Sequence, residues 1–478
     1  MRKLSRRDLL KMVGGMSVGA AALSLLGACG GGAAPAPAPT TAPAAKKEEA
    51  KPAETPVAQA VAPTATPAPA AKEPVTLRWH GCQGVHSVWI EKRTKEFTAE
   101  VPNIRVKIEP TASGHFEHFA KLKAMHAAHQ IGDLIYTCQC FGFHQDLSSK
   151  GITRDIDELI AADKYDLTQH FPAQVEGAKL NGKMYALPEN IHLGGSGLMF
   201  NQTIFDQAGV AYPTMDWTWD DLIAACRKVT KDKNGDGKVD QWSLSLTLWP
   251  ESLESVLRSF GGHIIAPDGK TCTLDKPEVV AALTMYQDLI HKHKVSPTQA
   301  DIQEDEYKMF VAGAVAMLET DAWSLSDIVN ITQGKFYPGA VLKPKGPSGK
   351  HGTNTGGDFA TLTAQSKYPD ETFQVAKFLC NKESGVRKVL EGAWAPGARP
   401  DVWTDKRLLD RHPAYKLWAE ALATSEGQIH PWNFRGAEVF DTVQNELRSI
   451  LLGKVTPEDG AKGAQRAVQK VLDMPPAV

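Results

Sequence analysis

The sequence predicts an α/β fold, and three observations predict it. Segments 75–80, 104–108 and 133–136 are rich in β-branched and aromatic residues, while 89–100 and 115–130 read as helices between them. Strand, helix, strand, helix, strand at this spacing implies a parallel sheet with crossover helices. Further on, Asn181-Gly182 is a two-residue hairpin signal, and the strand 183–187 after it is stopped by Pro188. Beyond a Gly-rich patch, Gly194-Gly195-Ser196-Gly197, extended structure resumes at Leu198-Met199-Phe200.

Taken in order, the chain opens on export chemistry. Ser5-Arg6-Arg7-Asp8-Leu9-Leu10-Lys11 resembles the twin-arginine motif, with Leu9 where Phe is commoner, and an apolar segment follows at 12–28. Leu26-Gly27-Ala28-Cys29 resembles a bacterial lipobox, whose cysteine is lipidated and becomes the new N-terminus. Residues 1–29 are therefore expected to be a lipoprotein signal, with Cys29 carrying a membrane anchor. Residues 30–74 are almost wholly Ala, Pro, Thr and Gly, with a small Lys/Glu cluster at 46–51. Such a segment buries too little apolar surface to fold. At ~3 Å per residue it is a tether with a reach on the order of 100 Å.

The 478 residues suffice for two or more domains, and 42% hydrophobic content supports ordinary cores. Net charge is −2. Five positive charges and one negative leave with the signal, which takes the balance to about −6 and argues against a nucleic-acid partner. No apolar run apart from the N-terminal one is long enough to span a bilayer.

In the body of the chain, Thr218 opens a helix, because its hydroxyl can accept from the third backbone N–H and Asp221 can return the bond. Leu222, Ile223, Ala225, Cys226 and Val229 then repeat at helical spacing. Segments 252–261, 277–292 and 306–317 continue the alternation of elements, and a helix opens at Tyr368-Pro369-Asp370-Glu371. Residues 445–452 read as helical, and Thr456 as cap with Pro457 as first helical residue starts a last helix running to Leu472. No internal repeat is present.

Several motifs carry chemistry to be weighed. Asp232, Asn234, Asp236 and Asp240 fall at the first, third, fifth and ninth positions of a calcium loop, with Gly237 at the sharp turn. The twelfth position is Ser243 rather than a bidentate acid, so the competing reading is an Asn-Gly/Asp-Gly turn from helix to strand. Any calcium here would be structural. His115, His118, His126 and His129 pair at three-residue intervals on a helix, and without a His-Glu-x-x-His pattern they read as a solvated face. After lipidation six cysteines remain. Folding before export in a reducing compartment argues against structural disulfides, and Cys138 and Cys140 sit too close for an easy one. Cys82, Cys138 and Cys140 are left as candidate cleft residues. No Gly-x-Ser-x-Gly elbow, phosphate loop or dinucleotide fingerprint occurs, so an enzyme reading has no residue to name.

Ligands of parallel sheets sit at the carboxyl ends of the strands, which points to 80–83 and 137–143. Tryptophans are plentiful, eleven in all. Trp249, Trp323, Trp394 and Trp432 stand where loops leave secondary structure. A sugar presents apolar CH faces and hydroxyls, so its receptor needs flat aromatic rings with charged or amide groups around them.

The run 177–246, with "NGKMYALP", "LMFNQTIFDQAGV" and "WTWDDLIAACRKVTKDKNGDGKVDQWSL", resembles the signature region of the family 1 extracellular solute-binding proteins, the sugar receptors of ABC importers. Segment 306–317 with Trp323 after it, Pro344-Lys345-Gly346-Pro347, Gly356-Gly357-Asp358-Phe359 and Gly392-Ala393-Trp394-Ala395-Pro396-Gly397 resemble further parts of that family. The resemblance covers most of the chain after about Pro74. It implies a two-lobed periplasmic-binding-protein-like fold with three interlobe crossings, near 188–197, 356–359 and 394–399. The implied lobes are 75–187 plus 359–396 and 188–358 plus 397–478. The implied ligand-binding set is His80, Gln83 and Phe141 from first-lobe loops, Trp249 and Trp323 from the second lobe, and Asp358, Trp394 and Arg399 from the crossings. The first-lobe loops lack the family's usual acids and basic residues, which leaves the identity of the sugar open.

What the resemblance implies of function is a monomeric extracytoplasmic receptor, lipid-anchored to the cell membrane. It would bind a carbohydrate, an oligosaccharide or similar polyol, with a glycerol-phosphate-like or other polar solute as the alternative, between its lobes and deliver it to a membrane permease and its ATPase, without catalysis and without a cofactor other than that calcium. Two alternatives stay open: a secreted metal-dependent hydrolase, motivated by the twin-arginine signal and the helix histidines, and a sensory receptor of the same fold.

Overall fold

In the computed structural model the described residues are 73–476 apart from 113, 303, 304 and 333. The expected signal at 1–29, the lipidation site Cys29 and nearly all of the tether at 30–74 lie outside them.

Two sheets organise these residues. In the first, β1 (Val75–His80), β2 (Ile104–Ile108) and β3 (Leu134–Cys138) pair in parallel around a central β1. The connecting helices Val85–Glu100 and His115–Ala127 cover the sheet. Leu77, Trp79, Ile90, Phe97, Phe119, Leu122 and Leu134 form the core between them. The hairpin predicted at Asn181-Gly182 joins β4 (Lys179–Leu180) to β5 (Lys183–Met184), and both turn residues take positive φ, 50° and 80°. The expected strand 183–187 is split. Its first half serves that hairpin, and its second half, β6 (Leu187–Pro188), joins the larger sheet.

The second sheet runs in the order β10 (Pro338–Leu342), β7 (Gly197–Asn201), β9 (Val315–Glu319), β8 (Trp242–Ser245). Here β7 is antiparallel to both neighbours and β8 is parallel to β9, so this sheet is mixed rather than parallel. Helices Trp219–Val229, Pro250–Phe260 and Pro277–His291 bury Leu222, Leu253, Val256 and Leu283 against it. The Thr218 cap forms as expected: Asp221 N–H donates to Thr218 Oγ1 at 3.3 Å, and Thr218 N–H donates to Asp221 Oδ2 at 2.9 Å. Two sheets with separate cores make two lobes.

The chain returns to the first sheet through β11 (Asp358–Leu362), antiparallel to both β3 and β6. Three crossing segments thus lie side by side. Glu189 N–H donates to Asp358 O at 2.9 Å, His192 and Gly356 exchange backbone bonds at 2.9 and 3.0 Å, and Ala398 N–H reaches Glu189 O at 3.3 Å. The Glu189 carboxylate is buried against Lys388 and accepts from His86 at 3.0 Å. A third core of Ile191, Leu193, Leu325, Val389, Trp403 and Trp418 packs beside these crossings.

The chain closes with paired helices Gly436–Leu451 and Pro457–Leu472, the latter capped by Thr456. The first begins nine residues earlier than 445, because Val439, Phe440, Val443, Leu447 and Ile450 already give a helical face to bury. Phe440 lies 5.8 Å from Phe116 and 4.9 Å from Trp249, ring centre to ring centre.

Candidate ligand-binding cleft

Where the two sheets face each other there is a cavity of about 260 Å³. From the first lobe it is lined by His115, Tyr136 and Cys140, at the start of a helix, in β3 and just beyond β3. The second lobe supplies Thr247, Trp249, Glu251 and Ser252 from the end of β8 into the next helix. It also supplies Glu306, Tyr307, Glu319 and Trp323, at a helix start, the end of β9 and the helix after it. His192, Asp358 and Trp394 come from the three crossings. Carboxyl ends of strands and helix starts therefore make the wall, as a doubly wound sheet dictates.

The wall is acidic and aromatic, and among the described residues no Lys or Arg lines it. Burial pushes the Glu251 carboxyl up to about 7, with the charges of Asp321 and Asp358 adding to it against a hydrogen bond from Gln428. Glu306 also reaches about 7, through burial and then the charge of Glu319. Asp358 accepts from Tyr136 Oη at 2.8 Å and from Asn190 Nδ2 at 2.7 Å. Glu319 accepts from Tyr286 Oη at 2.6 Å, and the buried Lys343 ammonium stands 3.6 Å from it, donating to Ser252 Oγ at 2.6 Å. Burial lowers His192 to about 4, so its ring is neutral. Its Nδ1 accepts from Gly194 N–H at 3.1 Å, which leaves Nε2 carrying the proton. The His192 ring meets Trp323 edge-on at 4.9 Å, and Trp323 Nε1 is 3.4 Å from Tyr307 Oη.

Of the eight residues expected to face ligand, the structure brings four to this wall: Trp249, Trp323, Asp358 and Trp394. The backbone of Phe141 lies in the turn Cys140–Gly142 beside it, and its side chain is outside the described atoms. Three do not reach the cavity. His80 is buried at the end of β1, with Nδ1 2.9 Å from Glu109 O just beyond β2. Gln83 is exposed and lines an outer groove at the start of the helix Val85–Glu100. Arg399 is turned away to Asp401, at 2.9 and 2.8 Å, and to Gln169, so it closes a helix start instead. Trp432 likewise stands elsewhere, its Nε1 donating to Leu472 O at 2.9 Å.

Sequence reasoning missed His115, Tyr136, His192, Glu251, Glu306, Tyr307 and Glu319. Glu251 and Glu306 sit in the first turns of helices, where an acid is explained equally well by the helix dipole. The histidine helix departs from a solvated face: His118 is fully buried, with Nε2 3.1 Å from Tyr136 O, and His115 lines the cavity.

Cys138 and Cys140 form a disulfide, contrary to the expectation from their separation. Gln139 between them is helical, φ −68° and ψ −31°, which folds the chain so that the two Cα atoms stand 5.2 Å apart, an ordinary span for the bond. In the loop 232–240, Asp232 accepts from Gly235 and Gly237 N–H at 2.6 and 2.8 Å, Asn234 from Asp236 at 2.9 Å, Asp236 from Lys238 at 2.8 Å and Asp240 from Lys233 at 2.7 Å. Ser243, at the twelfth position, is buried and donates to Cys226 O at 2.6 Å. Among the described residues no group of three or more His, Cys, Asp or Glu is arranged to hold a metal ion.

This architecture is a family's. Residues 84–386 match the model of the bacterial extracellular solute-binding proteins, and the chain belongs to that family. An arabinooligosaccharide-binding protein of Bacillus subtilis is 22% identical over 346 residues, 69% of this chain and 74% of that protein. Among solved structures, the fold is similar to an ABC substrate-binding protein of Listeria monocytogenes in complex with cycloalternan, with a TM-score of 0.74, 23% identity and coverage of 84% of this chain and 99% of that one. A protein of Mycobacterium tuberculosis in complex with glycerophosphocholine is similar too, with a TM-score of 0.71, 19% identity and coverage of 84% and 99%. The two-lobed binding-protein fold is thereby shown.

Proposed function

We propose that this protein is the extracytoplasmic receptor of an ABC importer, binding a carbohydrate between its lobes and presenting it to a membrane permease and ATPase. The observation that carries the reading is the cavity wall: three tryptophans and four carboxylates, contributed by both lobes and by the crossings between them. Rings offer faces for the CH side of a sugar, and carboxylates accept its hydroxyls. A ligand that touches both walls favours the closed arrangement, because only there can it make all of its contacts. Relatives and structural neighbours with oligosaccharide ligands support the same class.

The receptor performs no chemistry in this reading and needs no cofactor to bind its solute; calcium at 232–240 would only stiffen a turn. It acts as a monomer held to the outer side of the membrane by a lipid on Cys29, with the twin-arginine signal and the Ala/Pro-rich tether supplying the route and the reach. The test is a thermal-shift screen of the purified protein against mono- and oligosaccharides, with amino acids and phosphate esters as controls. A ligand at a hundred times its dissociation constant raises stability by ~2.7 kcal/mol. A saccharide-specific shift that disappears in Trp323→Ala is the expected result. Silence across all saccharides together with a stoichiometric transition metal in the sample would instead favour the hydrolase.

A further inference from the structure

Charge on the cleft wall is unbalanced. Glu251, Glu306 and Asp358 line the cavity, and among the described residues none of them forms an ion pair. Their hydrogen bonds come from neutral groups: Gln428 at 2.5 Å for Glu251, Ser245 at 3.4 Å for Glu306, Tyr136 and Asn190 for Asp358. The Lys343 ammonium stands behind Glu319 and Ser252, and it is 1% exposed. Glu251 belongs to the second lobe and Asp358 to a crossing that enters the first, and the charge of Asp358 acts on Glu251. A solute that fills the cavity removes the remaining water from these carboxylates, and desolvated charge without a counter-charge is costly. A neutral ligand meets that cost by driving Glu251 and Glu306 to take up protons, whereas an ammonium compensates the charge directly. An anion increases the cost.

The same wall has a donor and aromatic faces. His192 is 7% exposed, and its protonated Nε2 makes no hydrogen bond among the described residues while its other nitrogen is bound to Gly194. That donor calls for an oxygen on the ligand. Trp249, Trp323, Trp394 and Tyr136 present rings, which attract a cation through their faces as well as packing on CH groups.

Resting on the receptor reading above, we infer that the solute is an amine-bearing saccharide, its ammonium held between Glu251 and Asp358, with a hydroxyl on His192 Nε2 and a ring face on tryptophan. The ammonium supplies the missing counter-charge, and it relieves the repulsion between two carboxylates that come from opposite sides of the cleft. Phosphorylated and acidic sugars are excluded by the same charges.

The test is calorimetric titration of the whole protein with matched saccharides that differ only at one carbon, as amine, acetamide or hydroxyl. Suitable sets are glucosamine, galactosamine and mannosamine with their N-acetyl and neutral counterparts, and the β-1,4 dimer of glucosamine with its acetylated form and cellobiose. At least one amine is expected to bind about ten-fold tighter than both of its neutral partners, the scale of one charge-assisted hydrogen bond. High salt should narrow that preference, and Glu251→Gln should abolish it, bringing the amine down to the affinity of its neutral partners in the same variant. Asp358→Asn, which removes the other proposed partner of the ammonium, serves as a second variant should the first not fold, with circular dichroism to check each. Neutral saccharides binding as tightly as the amines would overturn the inference and leave the receptor reading standing. Failure of every saccharide, charged or neutral, would overturn both.

Discussion

Asp358 and Asn190 grip each other twice, Asn190 Nδ2 donating to Asp358 Oδ2 at 2.7 Å and Asp358 N–H donating back to Asn190 Oδ1 at 3.1 Å. Both residues are buried, and they belong to two different crossings. The clasp aims the remaining oxygen of Asp358 at Tyr136 and sets that carboxylate on the cavity wall. Asn190→Ala leaves a buried carboxylate short of a donor, which costs about 1–3 kcal/mol. Thermal unfolding should show the loss, and ligand affinity should fall with it.

Trp323 is half-buried at the start of its helix, with its ring against His192. Removing it should weaken saccharide binding by roughly ten- to a hundred-fold, since aromatic anchors concentrate binding energy. Its effect on stability should be the smaller of the two. Calorimetric titration beside a melting curve separates these quantities.

Glu251 and Glu306 titrate near 7 in the folded protein instead of their ordinary 4.5. Between those values the folded state holds protons that the unfolded chain has released. Stability contributed by these groups is therefore full below 4.5 and is lost as pH rises to 7. Melting curves from about pH 5 to about pH 8 should show a falling contribution that the double variant Glu251→Gln, Glu306→Gln removes.

Lys388 is fully buried against Glu189, with its ammonium 4.9 Å from the Trp89 ring centre. Lys388→Ala strands the Glu189 charge and should cost about 3–5 kcal/mol, whereas a paired apolar replacement of both should cost far less. A double-mutant cycle in denaturant measures the difference.

A methyl group at Gly356 would stand 2.3 Å from His192 Cε1, and at Gly357 it would stand 2.4 Å from Asn190 O. Gly356→Ala should push the His192 ring and Trp323 out of place, at a cost of about 1–3 kcal/mol. Tryptophan fluorescence in the absence of ligand should report the displacement.

Much of the frame was legible from the sequence because its signals are local. Thr218 with Asp221, Asn181-Gly182, and Thr456 with Pro457 each fix a backbone geometry within four residues, and each forms as read. The cleft is only half legible, because its members meet by tertiary placement. Trp249, Trp323 and Trp394 stand out as large rings in loops, but Glu251 and Glu306 look like ordinary first-turn acids until the fold buries them. His80 and His115 both depart from their expected roles for a similar reason. Strand ends mark the ligand side of a sheet, yet which way the last side chain points depends on a pleat the sequence does not count. The Cys138–Cys140 bridge needs a helical Gln139, a backbone choice imposed by the turn at Cys140–Gly142.

The three crossings are laced to one another by main-chain bonds, Glu189 to Asp358 and Ala398, His192 to Gly356, and Ile191 to Pro396. None of them can bend alone without tearing its neighbours. A rotation of one lobe against the other must therefore flex all three together. The side chains at the crossings, Asn190 with Asp358 and His192 beside Gly356, thus set what such flexing costs.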